Sequence, residues 1–240
     1  MLELGLSPLT IAAALAIITA ASAIQATVGM GMALIGVPLL ALVDPRFIPG
    51  PLLLGGLVQT IVSTYRARHH LEIGNLRWSL LGLGAGTLVG AVILDQFNGP
   101  SMPRLFGALV LTAVAISASG LRVAPTRRAF LIAGTASGIM GTMVGMHGPP
   151  IGIVLQNAKP DTIRAMLSAF FTMAGIGAVI ALVSVGLFGL EQLVMAAILV
   201  PGVIAGLLIA PLFGRFVAGR VMRIAILSVS AAGGLMLILR

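Results

Sequence analysis

Residues 144–150 read Val144-Gly145-Met146-His147-Gly148-Pro149-Pro150 and lie in the middle of a long apolar stretch, residues 129–157. Glycine and proline at this density stop an α-helix, because glycine lowers helix stability and proline lacks the backbone N–H. A second apolar stretch, residues 8–43, has a similar interruption at Thr27-Val28-Gly29-Met30-Gly31. Both stretches exceed the roughly 20 residues of one membrane crossing. We therefore predict that each stretch forms two helical legs joined by irregular backbone.

The composition around these interruptions is that of a membrane protein. Of the 240 residues, 59% are hydrophobic and only 8% are charged, whereas soluble domains carry roughly 25% charged residues. The remaining apolar stretches are continuous rather than alternating, which favours helices over the strands of a β-barrel. They cover residues 47–65, 78–94, 103–120, 162–187, 190–213 and 222–239. The sequence predicts an all-α integral membrane protein.

The positive charge does not indicate a nucleic-acid partner. The formal net charge is +8, but the 14 basic residues lie in short loops between apolar stretches, which is a signal of membrane topology. Cysteine is absent, so a disulfide framework and a thiolate metal site are excluded. We expect no cofactor and no bound metal. Because Met1–Glu3 lack a basic residue, we also expect no cleaved signal peptide.

The two interrupted stretches belong to an internal repeat. When the chain is shifted by 116 residues, residues 13–39 match residues 129–155 at ten of 27 positions, including Val28-Gly29-Met30 on Val144-Gly145-Met146. Roughly two or three matches are expected by chance. At the same offset Gly86 and Gly90 fall on Gly202 and Gly206, and the Gly-x-x-x-Gly spacing allows close helix packing. We predict an N-terminal repeat over residues 1–120 and a C-terminal repeat over residues 121–240, together one membrane domain.

The basic residues predict that the repeats are inverted. If residues 129–157 enter and leave the membrane by the same face, the loops at 66–77, 122–128, 158–164 and 215–223 share one side. These loops then hold eleven basic residues, against three elsewhere, as expected of cytoplasmic loops. Repeat symmetry implies that residues 8–43 double back from the other face. Each repeat is thus predicted to contain one broken, re-entrant helical hairpin and three transmembrane helices.

This architecture is typical of secondary transporters. Irregular backbone is tolerated at membrane depth only where it is buried in protein or lines a cavity, and transporters place substrates at such helix breaks near the midplane. The second legs are expected to begin near Met32 and Pro149. A helix N-terminus carries about half a positive charge and free N–H donors, which favours an anion. A small anionic substrate is therefore predicted.

These features resemble the TauE/SafE family. The resemblance rests on two glycine-rich broken segments, the second ending Gly148-Pro149-Pro150 and followed by Arg164 in the next helix. It covers essentially the whole chain in length, segment order and repeat position. It implies a multi-pass permease of the bacterial inner membrane that carries sulfite, an organosulfonate or a related organosulfur anion.

The candidate substrate-binding residues lie at the interruptions and in the apolar segments beside them. Each also has a purely structural interpretation. The glycines would allow close helix packing, and the methionines would fill gaps between helices. Gln25 and Gln59 would join helices by hydrogen bonds, and His147 would be a hydrogen-bonded core residue. Arg164 either neutralises the anion or extends to the membrane surface. The candidates are Gln25, Gly29, Met30, Gly31, Gln59, Gly145, Met146, His147, Gly148, Pro149 and Arg164.

An intramembrane enzyme is the first rival interpretation. A His-Glu-x-x-His zinc-protease motif is absent from the sequence, and intramembrane carboxylates are nearly absent. Ser137 and His147 lie on opposite sides of the interruption, so we do not expect a catalytic pair. A passive anion channel of the same architecture stays open as the alternative. Besides substrate, the expected partner is the lipid bilayer, and the sequence leaves a homodimer open.

Overall fold

The computed structural model describes the backbone of residues 5–96, 101–217 and 220–239. It describes side chains over the same ranges apart from residues 213–217 and 220–222. The signal-peptide prediction, which concerns Met1–Glu3, lies outside the described residues. So does much of the predicted basic loop 215–223, in which Arg223 is the described side chain.

Every regular element within those ranges is helical, which confirms the all-α prediction. The first five helices are α1 (Pro8–Val28), α2 (Met32–Val43), α3 (Gly50–Ala67), α4 (Ile73–Asp95) and α5 (Met102–Ala118). The next five are α6 (Arg127–Val144), α7 (Gly148–Leu155), α8 (Pro160–Ser184), α9 (Leu190–Val217) and α10 (Arg220–Leu239). Short 3-10 turns at Pro45–Phe47 and Arg68–His70 precede and follow α3.

Both predicted interruptions are breaks between helices. Gly29, which follows α1, has a φ of 90°, and Gly31, which precedes α2, has a φ of 128°. Gly145, which follows α6, has a φ of 81°. Only glycine adopts such positive φ values without strain. The backbone therefore leaves the helix at the glycines that the sequence pattern indicated.

Arg46 connects two loops at one end of the molecule. Its guanidinium forms an ion pair with Asp44 at 2.7 Å and a second with Glu191, at the start of α9, at 3.2 Å. The hydrogen bond that Arg46 donates to the Asp44 carboxylate raises the pKa of Arg46 above its ordinary value. The loop between α2 and α3 thus lies beside the loop between α8 and α9.

A second group of loops lies together elsewhere. Gln156 Nε2 donates a hydrogen bond to the carbonyl oxygen of Leu121 at 2.6 Å. Arg223 donates one to the carbonyl oxygen of Ser117 at 2.7 Å. The segment that follows α3 and the start of α8 line one cavity. These observations bring together three pairs: the segments after α5 and α7, the end of α5 with the start of α10, and the segment after α3 with the start of α8.

The helices of the two parts of the chain interleave. α1 packs closely against α9, α4 against α6, α3 against α8 and α5 against α10. Glycine permits the closest of these approaches: a Cβ at Gly86 would overlap the carbonyl oxygen of Thr135, and a Cβ at Gly206 would overlap that of Thr19. This is the close packing that Gly-x-x-x-Gly spacing predicts.

Length and composition mark several helices as possible membrane spans. Among the described residues, four helical segments are long and apolar enough to cross a bilayer: α1, α4, α8 and residues 190–212 of α9. On α4, the side chains of Leu81, Leu88 and Val92 are exposed, while Gly82, Gly86 and Gly90 face α6. The exposed side of α4 is therefore apolar, as a surface in contact with lipid requires.

The glycine contact between α4 and α6 predicts a measurable loss of stability. Gly86→Ala should destabilise the protein by about 1–3 kcal/mol, because the methyl group forces apart two packed backbones. Gly84→Ala is the matched control, since a Cβ at Gly84 meets nothing within 4 Å. Thermal unfolding in detergent measures both variants. Equal unfolding temperatures would contradict the close packing of α4 on α6.

Candidate functional site

The two helix breaks share the wall of one small cavity. Its volume is about 60 Å³, roughly four to six times the 10–15 Å³ that one buried water needs. Residues of both breaks and of the helices α2 and α7 that follow them line it, and α3 and α8 complete the wall. The lining residues are Gln25, Met30, Gly31, Met32, Ala33, Leu34, Leu52, Leu53, Gly56, Leu57, Thr60, Gly145, Met146, His147, Gly148, Pro149, Phe171 and Gly175.

Gln25 bridges the first break. Its Oε1 accepts a hydrogen bond from the backbone N–H of Met32 at 3.1 Å, so the amide of a residue in α1 caps the first turn of α2. Met30 lies between the two breaks, because its Cε would be 3.5 Å from a Cβ at Gly148. The tip of the first break therefore packs directly against the start of α7.

His147 occupies the second break. The side chain is 5% exposed, and its Nε2 has no hydrogen-bond partner among the described residues. Its imidazole packs over Gly141 so closely that a Cβ there would overlap the ring. A buried polar atom without a partner is costly and unusual. His147 lines the small cavity, but its Nε2 is enclosed against α6 at Gly141.

The two helix N-termini at the cavity differ in their backbone donors. α2 begins with Met32, Ala33 and Leu34, all of which have N–H groups that lack partners within the helix. α7 begins Gly148-Pro149-Pro150, and proline has no N–H. Because the N–H of Met32 is bonded to Gln25, the first break presents the N–H groups of Ala33 and Leu34, whereas the second presents one first-turn N–H, that of Gly148.

A larger cavity of about 500 Å³ adjoins the small one and shares Gln25, Thr60 and Phe171 with it. Four of its lining residues are ionisable and exposed: Arg66, His70, Asp161 and Arg164. This larger cavity, which we call the vestibule, therefore opens at the protein surface. It lies at the loops that follow α3 and precede α8.

Arg164 faces the vestibule and touches the first break. Its Nη2 donates a hydrogen bond to the carbonyl oxygen of Thr27, in the last turn of α1, at 3.3 Å. A cation at a helix C-terminus interacts favourably with the helix dipole. Arg164 therefore steadies the end of α1 while leaving part of its guanidinium exposed to the vestibule.

The structure brings most of the predicted site residues together. Eight candidates line the small cavity: Gln25, Met30, Gly31, Gly145, Met146, His147, Gly148 and Pro149. Gly29 and Arg164 line the vestibule instead. Gln59 lines neither cavity; its Nε2 donates to the carbonyl oxygen of Ser22 at 2.8 Å and so joins α3 to α1. Contact of these residues with substrate stays a prediction.

Sequence reasoning missed the contribution of α3 and α8. Thr60 and Phe171 lie at the junction of the two cavities, and Thr64 and Thr172 hydroxyls lie 3.1 Å apart beside it. A signal was present, since Thr60, Ser63 and Thr64 form a polar stripe at helical spacing within an apolar segment. That stripe indicates a helix face directed towards water or polar groups.

The arrangement does not form a catalytic pair from Ser137 and His147. Neither Ser137 Oγ nor His147 Nε2 has a hydrogen-bond partner among the side chains that the structure describes, so the two are not bonded to each other. A serine nucleophile requires a base within hydrogen-bonding distance.

Comparison with protein families matches residues 14–237 to the family described as "Sulfite exporter TauE/SafE". The chain therefore belongs to the TauE/SafE family. With its apolar helices, it is a multi-pass membrane protein of a transporter family. Searches of curated proteins and of solved structures found no significant match.

The contact between His147 and Gly141 predicts coupled effects on stability. Gly141→Ala should destabilise the protein by about 1–3 kcal/mol, because the new methyl overlaps the imidazole. In a His147→Ala background the same substitution should cost much less, since the ring is gone. Thermal unfolding of the four proteins in the double-mutant cycle measures the coupling.

Gly177→Ala is the matched control for a glycine in a helix, because a Cβ there meets nothing within 4 Å. An equal loss of stability from Gly141→Ala with and without the imidazole would contradict the described position of His147.

Proposed function

We propose that the protein is a secondary transporter of a small anion, namely sulfite, an organosulfonate or a related organosulfur oxyanion, in a bacterial inner membrane. The observation that carries the proposal is the small cavity whose wall comes from both helix breaks. Secondary transporters bind substrate where interrupted helices meet. The helix N-termini favour an anion, and the description of the family supports sulfur chemistry.

In the proposed inverted repeat, α1 and α2 form the first re-entrant hairpin. Glycines of α9 pack on α1 in parallel order, with Gly202 beside Leu15 and Gly206 beside Thr19. α1 therefore starts on the side where α9 starts, which is the side of Glu191. α2 ends at Asp44, which Arg46 links to Glu191. These contacts support a hairpin that enters and leaves by one side.

The second part concerns α6 and α7. A Cβ at Gly82 or at Gly86 would overlap the carbonyl oxygen of Leu131 or of Thr135, so α4 and α6 also run parallel. α4 follows the loop after α3, which lines the vestibule, so α4 starts on the side where the vestibule opens. Because α6 runs parallel to α4, α6 starts on that side as well. α7 returns to Gln156, which bonds Leu121 just before α6. The second hairpin is thus proposed to enter and leave by the opposite side.

The depth of the breaks agrees with a site inside the membrane. At 1.5 Å per residue, the 21 residues of α1 extend about 31 Å and the 18 residues of α6 about 27 Å. Either leg passes the midplane of a hydrocarbon core about 30 Å thick. Since Met30 lies beside Gly148, the two tips share one depth, which requires legs that tilt or that begin outside the hydrocarbon core.

A carrier is favoured over a channel by the unequal access to the small cavity. Towards the vestibule the path is lined by polar residues, namely the half-buried Ser63 and the exposed Arg66 and Arg164. On the other side, Leu34, Leu52 and Leu53 are buried in the apolar core. A site that is open to one side and closed to the other is expected of alternating access.

The inverted topology predicts the sidedness of two exposed residues, Arg46 and Lys159. Because the chain has no cysteine, Arg46→Cys and Lys159→Cys each provide a single labelling site. A membrane-impermeant maleimide added to intact cells should label position 46 and not position 159. Permeabilised cells are the control, in which both should react. Labelling of both positions in intact cells would contradict the inverted arrangement.

The transport function predicts flux in proteoliposomes. Purified protein should catalyse counterflow of labelled sulfite or methanesulfonate against a gradient of unlabelled substrate, which a passive channel cannot do. Gly148→Leu should reduce flux to the level of empty liposomes, because the side chain fills the space between Met30 and Phe171. Flux without counterflow would favour the channel. Absence of flux for every sulfur oxyanion tested would refute the proposed substrate class.

A further inference from the structure

The single tryptophan of the chain lies where two helices begin side by side. Trp78 is in the second turn of α4, and its half-buried ring packs against the apolar cluster that contains Phe130 of α6. Because α4 and α6 run parallel, both helices start on the side where the vestibule opens. The ring of Trp78 therefore lies at one end of the α4–α6 pair.

Two guanidinium groups converge on this ring from different helices. The Cζ atom of Arg77, in α4, lies 5.2 Å from the ring centroid, and that of Arg127, the first residue of α6, lies 5.7 Å from it. At about 6 Å or less a cation is attracted to the face of an indole ring. Both arginines are exposed. The indole thus holds two positive charges together at the surface.

The chain supplies no carboxylate to balance these two charges among its described residues. The ion pairs there all involve Arg46, so neither Arg77 nor Arg127 is paired. Glu72, at the start of α4, accepts a hydrogen bond from Asn75 Nδ2 at 2.9 Å instead. Because like charges repel, the two guanidinium groups favour an anion from outside the chain.

The surface next to the arginines is apolar and exposed. One turn after Arg77, Leu81 is 61% exposed, and one turn after Arg127, Leu131 is 40% exposed. Residues four apart lie on the same face of a helix, and the face of α4 continues to Leu88, which is 68% exposed. In a multi-pass membrane protein, such a face is in contact with lipid.

The position of Arg77 along α4 corresponds to the headgroup region. From Arg77 to Asp95, α4 extends about 27 Å at 1.5 Å per residue, which is close to the roughly 30 Å of a hydrocarbon core. The two charged residues therefore bracket the apolar part of the helix. Tryptophan is enriched at this level of membrane proteins, and arginine side chains extend towards the headgroups from it.

We propose that Arg77, Trp78 and Arg127 bind the headgroup of an anionic phospholipid, such as phosphatidylglycerol, in the leaflet on the vestibule side. Guanidinium groups bind phosphate oxygens through paired N–H donors, and basic clusters between helices at a membrane surface bind anionic headgroups. The exposed leucines beside the arginines contact the acyl chains, which favours a lipid over a soluble phosphate. This site is independent of the transported substrate.

The fluorescence of Trp78 measures lipid binding directly, because the chain has one tryptophan. The protein is placed in phosphatidylcholine nanodiscs that contain a small fraction of a lipid brominated near its headgroup, since bromine quenches tryptophan on contact. Brominated phosphatidylglycerol should quench more strongly than brominated phosphatidylcholine at the same fraction, because each arginine should enrich anionic lipid about fivefold. Equal quenching by the two lipids would overturn the inference.

Arginine variants locate the excess quenching by the anionic lipid. Arg77→Gln/Arg127→Gln should remove the excess, while the tryptophan stays in place as the reporter. Arg66→Gln/Arg68→Gln is the matched control, since it removes the same charge at the end of α3, where Arg68 lies over Tyr65 rather than over Trp78. Persistence of the excess in the first variant, or its loss in the control, would overturn the inference.

Two further measurements use the unaltered protein. Raised salt screens surface charge and should reduce the excess quenching by brominated phosphatidylglycerol. Soluble glycerol phosphate, compared at constant ionic strength, should not reduce it, because a soluble headgroup lacks the acyl chains that contact the leucines. An excess that salt leaves unchanged would overturn the inference. An excess that glycerol phosphate abolishes would assign the arginines to a soluble phosphate and overturn it as well.

Discussion

Lipid offers no hydrogen bonds to a polypeptide backbone, and this constraint determines where the two helix breaks lie. At Gly29–Gly31 and at Gly145–His147 the chain leaves the helix, so N–H and C=O groups there need partners from protein or ligand. The fold meets that need by placing both breaks against each other inside the molecule, with α3 and α8 around them. The cavity between the breaks is a direct result, because irregular backbone cannot fill space as densely as packed helices do.

Glycine packing holds the breaks in this position. α4 supports α6 and α9 supports α1, in both cases through contacts so close that a methyl group would overlap backbone oxygen. In a membrane such contacts gain dispersion energy that lipid does not supply equally well. Each first leg is therefore held by a helix from the other part of the chain. The packing of the two parts of the chain therefore also positions the two breaks relative to each other.

Charged side chains are distributed unequally between the two cavities. Arg66 and Arg164 line the exposed vestibule, where a positive potential raises the local concentration of anions. The described wall of the small cavity has no Asp, Glu, Lys or Arg, so the anion binding proposed there relies on backbone N–H groups such as those of Ala33, Leu34 and Gly148. Such a site releases its ligand more readily than a buried arginine would, because a strong ion pair in a low-dielectric interior is difficult to separate. Release is as necessary to transport as binding.

Composition, periodicity and the glycine-rich interruptions determined much of this protein. They identified the membrane class, the helical segments and both breaks, since helix formation in an apolar run and its interruption by glycine are local properties of the chain. Eight of the eleven candidate site residues lie at the small cavity for the same reason. Only the tertiary structure decided that Gln59 bonds Ser22, that Arg164 lies in the vestibule, and that Thr60 and Phe171 stand between the cavities. Those placements depend on how α3 and α8 pack against helices distant in sequence. Long-range packing of that kind is set by the fit of side chains in space rather than by local pattern.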